Sequence, residues 1–189
     1  MRALPCLILA AVLGAAPAQA QELSRASQRL ELLGDAPVGC IANSARASGL
    51  RNATFQDNGP SGGVVVFPQL VDGTTAMARE SAIELAVPVI CNTSHTVTVR
   101  SYNGGLLRQG AQGTGRSSGG FSEFQAYQVG VQWQGQRVQV GGQSSTASIA
   151  WGQPAKGDLT VDITVPQGTA PLVAGTYTDA VVVEILPAS

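Results

Sequence analysis

The sequence predicts an all-β chain folded as an antiparallel β-sandwich. From residue 83 onward, apolar residues recur with a period of two. The apolar runs are short and end in clusters rich in Gly, Pro, Asn and Ser. No helical period appears in this region. Short alternating strands punctuated by tight turns bury one face each, and two such sheets packed face to face form a sandwich.

Taken in order, Met1–Ala20 reads "MRALPCLILAAVLGAAPAQA": a basic start at Arg2, an apolar run and the small-residue ending Ala18-Gln19-Ala20. This predicts a secretory signal peptide over residues 1–20, because the apolar core is too short to span a bilayer and no stop-transfer charges follow. Cys6 would leave with it. Residues 21–35 form an N-terminal extension. Leu30 and Leu32 fit one face of a strand, while Leu23, Leu30 and Leu33 before Gly34 fit a short helix closed by a glycine cap, so both readings stand. Residues 36–189 form one domain, long enough for its own core.

Within that domain, Val64, Val65, Val66 and Phe67 are expected to form a buried strand ending at Pro68, and the stretch Thr75 to Glu84 to hold a helical turn. Ile83, Leu85, Val87, Val89 and Cys91 share one strand face, and Val97 and Val99 continue the pattern. Tyr127, Val129, Val131 and Trp133 alternate with Gln128, Gly130, Gln132 and Gln134. Val138 with Val140, and Ile149 with Trp151, mark shorter strands. Leu159, Val161, Ile163 and Val165 alternate with Asp158, Thr160, Asp162 and Thr164 until Pro166. Tyr177, Asp179, Val181, Val183 and Ile185 fall on one side of a last strand. The glycine-rich stretch from Gly110 to Gly120 reads as one long mobile loop.

Charged residues are 12 % of the chain and the net charge is −1, a balance that favours neither nucleic acid nor an anionic membrane. After signal removal two cysteines remain, Cys40 and Cys91. An exported chain with two cysteines is expected to pair them, and a bridge closing about 51 residues contributes roughly 4 kcal/mol by loop entropy.

Tests for chemistry fail. Gly110, Gly115, Arg116 and Ser117 have the spacing of a phosphate-cradling loop, but arginine replaces the lysine and serines and glycines follow where a helix is required. His95, the only histidine, stands in "NTSHTVTV" without a nucleophile signature, and reads as a strand-edge or turn residue. One histidine, two cysteines expected to pair and scattered carboxylates offer no transition-metal cluster. Asp158 and Asp162 lie about 13 Å apart on one strand face, too far for one ion. Asn52-Ala53-Thr54 and Asn92-Thr93-Ser94 match the short glycosylation pattern. The reading is of a non-enzyme with no catalytic residue, cofactor or metal.

The order of elements is more specific. A signal peptide, a cysteine near the start of the domain, "VPVICNTSHTVTVRSYNGG", the aromatic-bearing middle strand "FQAYQVGVQW" and finally "PLVAGTYTDAVVVEI" resemble the spore coat protein U domain family. That family includes pilin subunits of the archaic chaperone-usher pili of Gram-negative bacteria. The resemblance implies an immunoglobulin-like sandwich lacking its last strand, which a periplasmic chaperone lends first and the N-terminal extension of the next subunit then replaces. It implies as partners neighbouring pilin subunits, the chaperone and an outer-membrane usher, with export through the periplasm to a surface fimbrium. On this expectation Val181, Val183 and Ile185 line the open groove, and Leu30 and Leu32 supply the donated strand. The alternative is a self-complete secreted sandwich that binds a carbohydrate or protein ligand through Tyr102, Phe121, Phe124 or the Gly110 to Gly120 loop.

Overall fold

The computed structural model describes residues 31–111, 117–141 and 145–188, so the signal-peptide reading, Leu30 and residues 112–116 of the Gly110 to Gly120 loop lie outside the described residues. The chain separates into two units at Asp35/Ala36. Of the first, residues 31–35 are described; they carry no regular secondary structure and are exposed. The second unit is all-β. Its strands are β1 (Cys40–Ala42), β2 (Arg46–Arg51), β3 (Thr54–Asp57), β4 (Gly63–Val66), β5 (Ser81–Cys91), β6 (His95–Ser101), β7 (Gly105–Arg108), β8 (Ser117–Ser118), β9 (Phe121–Ser122), β10 (Phe124–Ala126), β11 (Gln128–Trp133), β12 (Gln136–Gly141), β13 (Thr146–Trp151), β14 (Ala155–Val165), β15 (Tyr177–Thr178) and β16 (Val181–Pro187).

One sheet runs β1-β5-β14-β11-β12, with β2 beside β1 on the same edge of β5. Its spine is the pair β5–β14, in unbroken antiparallel register from Ser81↔Val165 to Cys91↔Ala155. The facing layer contains β13-β6-β16, and β10-β7-β15 continues it at one end. The alternation read from the sequence places Val129, Val131 and Trp133 of β11, Leu159 of β14 and Val97 and Val99 of β6 in the core, each at most 1 % exposed. Each such side chain contributes roughly 1.5–3 kcal/mol when fully buried. The outward phase is polar: Arg137 pairs with Asp162 at 2.8 Å, across Gly130. A Cβ there would meet the Arg137 guanidinium at 2.2 Å, so the glycine makes room for the ion pair.

Along one side β12 lies against β13 and closes the sandwich. Along the other, β16 pairs with β6 and, among the described residues, with no second strand.

Several expectations need correction. Tyr177 to Ile185 is not one strand: β15 pairs with β7, the chain turns at Asp179 and Ala180, and β16 joins β6. "FQAYQVGVQW" breaks likewise at Tyr127, with β10 on β7 and β11 on β14. Val64 to Val66 lie in β4 and Phe67 follows it, yet Val64 and Val66 are exposed and Val65 and Phe67 are half-buried, because β4 pairs with β3 in a two-stranded ribbon at the rim. In that ribbon the Phe55 ring lies over Gly63, as the Phe124 ring lies over Gly105 in the pair β7–β10. A cross-strand aromatic covers the bare backbone of each glycine.

Between Thr75 and Glu84 no helix forms. A single turn overlaps its start, with Ala76 N donating to Asp72 O at 2.8 Å, and β5 begins at Ser81. The Asp72 carboxylate accepts from the amides of Thr74 and Thr75, which holds its pKa below the usual value. Ser117–Ser118 and Phe121–Ser122 pair as a tight hairpin around Gly119 and Gly120, both at positive φ, so the end of the glycine-rich stretch is ordered rather than a loop.

Candidate subunit-interaction groove

The unpaired flank of β16 opens onto a cavity of about 590 Å³ inside the second unit. Its floor is the spine of the large sheet: Leu85 and Val87 from β5, and Leu159, Val161 and Ile163 from β14. One wall is Val181, Val183 and Ile185 of β16, and across from it stand Ala42 at the end of β1 and Ala45 of the β1–β2 connection, with Phe55 and Val65 of the ribbon and Phe67 just after it. The wall residues on β16 and the ribbon are half-buried and pack against the core. On β16 the outward phase is Val182, Glu184 and Leu186, all exposed. The three β16 residues singled out from the sequence therefore stand on one groove wall. Leu32 belongs to the first unit and is 88 % exposed.

One end of the groove is polar and pinned. Asp179 Oδ2 accepts from Ser101 Oγ at 2.6 Å and from the Tyr127 hydroxyl, and Oδ1 accepts from the amides of Asn103 (2.9 Å) and Ala180 (2.7 Å). A carboxylate with four donors is fully satisfied, so it can sit beside the core without the cost of a bare buried charge. Burial, and then the Asp179 carboxylate, push the Tyr127 phenol well above the ordinary tyrosine pKa. Tyr127 and Asp179 each stand where one alternating run passes from one sheet to another, and one hydrogen bond ties these two crossings together. The sequence held a signal for this: Asp179 stands in the apolar phase of a valine-rich strand, where a carboxylate needs donors.

Cys40 and Cys91 are joined. They face each other across β1–β5 with Cα atoms 4.1 Å apart, and the Asn92 amide donates to Gly39 O beside them, so they form the narrow cross-strand pair that brings side chains together. The bond is compatible with an oxidising, extracytoplasmic compartment. His95 is not an edge residue: it begins the central strand β6, is 1 % exposed, and packs on Trp133 and Trp151 with ring centroids 4.8 and 5.6 Å away. Its ligand nitrogen and the two cysteine sulfurs lie within 4.8 Å of one another.

The asparagines of the glycosylation patterns and the aromatics considered for ligand binding differ in their surroundings. Asn52 Nδ2 donates to Gln69 O and Ser81 Oγ, and Asn92 Nδ2 donates to Pro37 O, so both amides of the short glycosylation patterns are engaged in the fold. Tyr102 is 74 % and Phe121 45 % exposed, while Phe124 is half-buried over Gly105. No helix of the described residues is long and apolar enough to cross a membrane. A scan against models of known protein families finds no match to the chain, and a search of curated proteins finds none either.

Proposed function

We propose that the chain is a structural subunit of a chaperone-usher fimbrium, of the spore coat protein U domain type, that polymerises by strand exchange. The observation that carries this reading is the apolar groove of about 590 Å³ lying along the one unpaired flank of β16. An edge strand with apolar walls is a template for another chain, and a soluble protein that keeps one has a partner for it. A strand laid beside β16 would complete its ladder of main-chain hydrogen bonds. Its alternate side chains would fill the space over Leu85, Val87, Leu159 and Val161. Over the length of β16 this takes about three or four inward side chains at roughly 7 Å intervals.

On this reading a periplasmic chaperone covers the groove first, an outer-membrane usher passes the subunit on, and residues 21–35 of the next subunit supply the permanent strand through Leu30 and Leu32. Full burial of these two leucines contributes roughly 1.5–3 kcal/mol each. The test is a gel of heat-resistant oligomers from cells producing chaperone and usher. Wild type gives a ladder, and both a deletion of residues 21–34 and the double substitution Leu30→Asp, Leu32→Asp give monomer. Unchanged ladders in both variants would rule out this donor, and a wild type that is monomeric and stable without a chaperone would favour a self-complete module.

A further inference from the structure

We propose a second site, unrelated to the groove: in its dithiol form the domain holds one zinc-class cation on Cys40, Cys91 and His95. Three observations meet there. The ligand atoms of these side chains lie within 4.8 Å of one another. His95 Nδ1 is 2.9 Å from the Thr93 carbonyl oxygen, and Nε2 is buried with no hydrogen-bond partner among the described residues. A histidine whose Nδ1–H is held by a backbone carbonyl presents an Nε2 lone pair, which is the usual second-sphere arrangement of a metal-binding imidazole. Trp133 Nε1 and Trp151 Nε1, on the two rings that flank His95, are likewise buried without a partner among the described residues, and a buried polar atom without a partner is costly.

The scaffold suits such a site. Cys40 and Cys91 are fixed opposite each other on β1 and β5, and His95 is clamped by the two tryptophan rings, so the three donors start close to their places. Zinc needs donors about 2.0–2.3 Å from the ion, so the two sulfurs, bonded at 2.05 Å in the disulfide, must separate on reduction to take their places around it. Cys91 and His95 are 2 % and 1 % exposed, whereas Cys40 is only half-buried and leaves the fourth position facing solvent.

Occupancy is tied to redox state. A dithiol reductant gives two electrons and two protons to the Cys40–Cys91 bond and becomes a disulfide itself. The two protein thiols then bind Zn²⁺ as thiolates and release two protons, and His95 adds its neutral nitrogen. A disulfide oxidant that accepts two electrons from the two thiolates, and with two protons from water becomes a dithiol, reforms the bond and expels the ion. The consequence is that a cation can hold the reduced domain folded before its bond is made, since metal bound only by the folded form adds to stability.

The experiment uses the full chain reduced with a phosphine, which becomes its oxide as water supplies the two thiol protons. Co²⁺ serves as the optical probe and Zn²⁺ as competitor. Thiolate-to-cobalt charge-transfer bands and tetrahedral d–d bands are expected in the reduced protein, bleached by Zn²⁺, and absent from the oxidised protein. His95→Phe, which keeps an aromatic ring between the tryptophans, and Cys40→Ser should each weaken binding by about 100-fold or more. X-ray absorption at the zinc edge of the wild type gives a readout that needs no variant: two sulfurs and one imidazole are expected. No cobalt bands in the reduced wild type would overturn the proposal. So would unchanged affinity in a folded His95→Phe, or a zinc shell without imidazole. A reduced chain that is unfolded and stays unfolded with Zn²⁺ would overturn it too.

Discussion

The two long sides of this sandwich are built from the same kind of strand and end differently. Where β12 meets β13, Val140 is 1 % and Trp151 8 % exposed, and the core is sealed. Where β16 faces the β1–β2 connection, Val181, Val183 and Ile185 have the same chemistry and alternation, yet stay half-covered over an open groove. The cross-strand pair Val99↔Val183 puts both conditions side by side, one residue at 0 % exposure and its partner half-exposed. Alternation specifies which way a side chain points; a neighbouring strand decides whether that face is buried.

The largest effects should therefore separate these neighbours. Val99→Asp places an unpaired charge in a sealed core, at a cost of several kcal/mol, and the protein should not accumulate in folded form. Val183→Asp faces the groove, where water still reaches it in the isolated chain. That variant should fold with a thermal transition much closer to wild type and fail only where an apolar strand must dock. Equal loss of folded protein in both variants, measured by circular dichroism and yield, would erase the distinction between the two sides.

Next in size is the disulfide, which fastens β1 to β5 beside the open side. Cys40→Ser with Cys91→Ser should lower the free energy of unfolding by roughly 4 kcal/mol in metal-free buffer, read from urea denaturation. A loss below about 1 kcal/mol would mean that the β1–β5 ladder holds without it.

Much of this was legible in the sequence. The β5, β11 and β14 faces, the Cys40–Cys91 bond and the phase of Val181, Val183 and Ile185 follow from periodicity and from counting cysteines. The sheet crossings were not, because the alternation runs through Tyr127 and Asp179 without a change of phase, and the partners that bend the chain are distant: Tyr127 and Asp179 are 52 residues apart. The ribbon β3–β4 was misjudged for a related reason. "VVV" looks buried, but with only β3 beside it there is no layer to cover Val64 and Val66. The groove floor was hidden as well, since Leu85, Val87 and Val161 alternate like any core strand. The nearness of His95 to the disulfide depends on the turn between β5 and β6, which no local pattern shows.

The smallest effect tests the pin that joins the two crossings at the end of the groove. Tyr127 and Tyr177 both have phenols held above the ordinary value, chiefly by burial. For Tyr127 the Asp179 carboxylate adds to this. A group whose folded pKa is raised contributes stability that is complete below its unfolded pKa, near 10, and is lost as pH rises toward the folded value. Unfolding free energy should thus be flat through neutral pH in respect of these groups and decline above about pH 10, by up to about 1.4 kcal/mol per pH unit for each phenol. Tyr127→Phe removes the hydroxyl and leaves Asp179 with three donors. It should cost about 1 kcal/mol at pH 7 and flatten the alkaline decline, with Tyr177 supplying what slope remains. A Tyr127→Phe protein with the full wild-type slope would show that the Tyr127–Asp179 bond does not hold the crossings in solution.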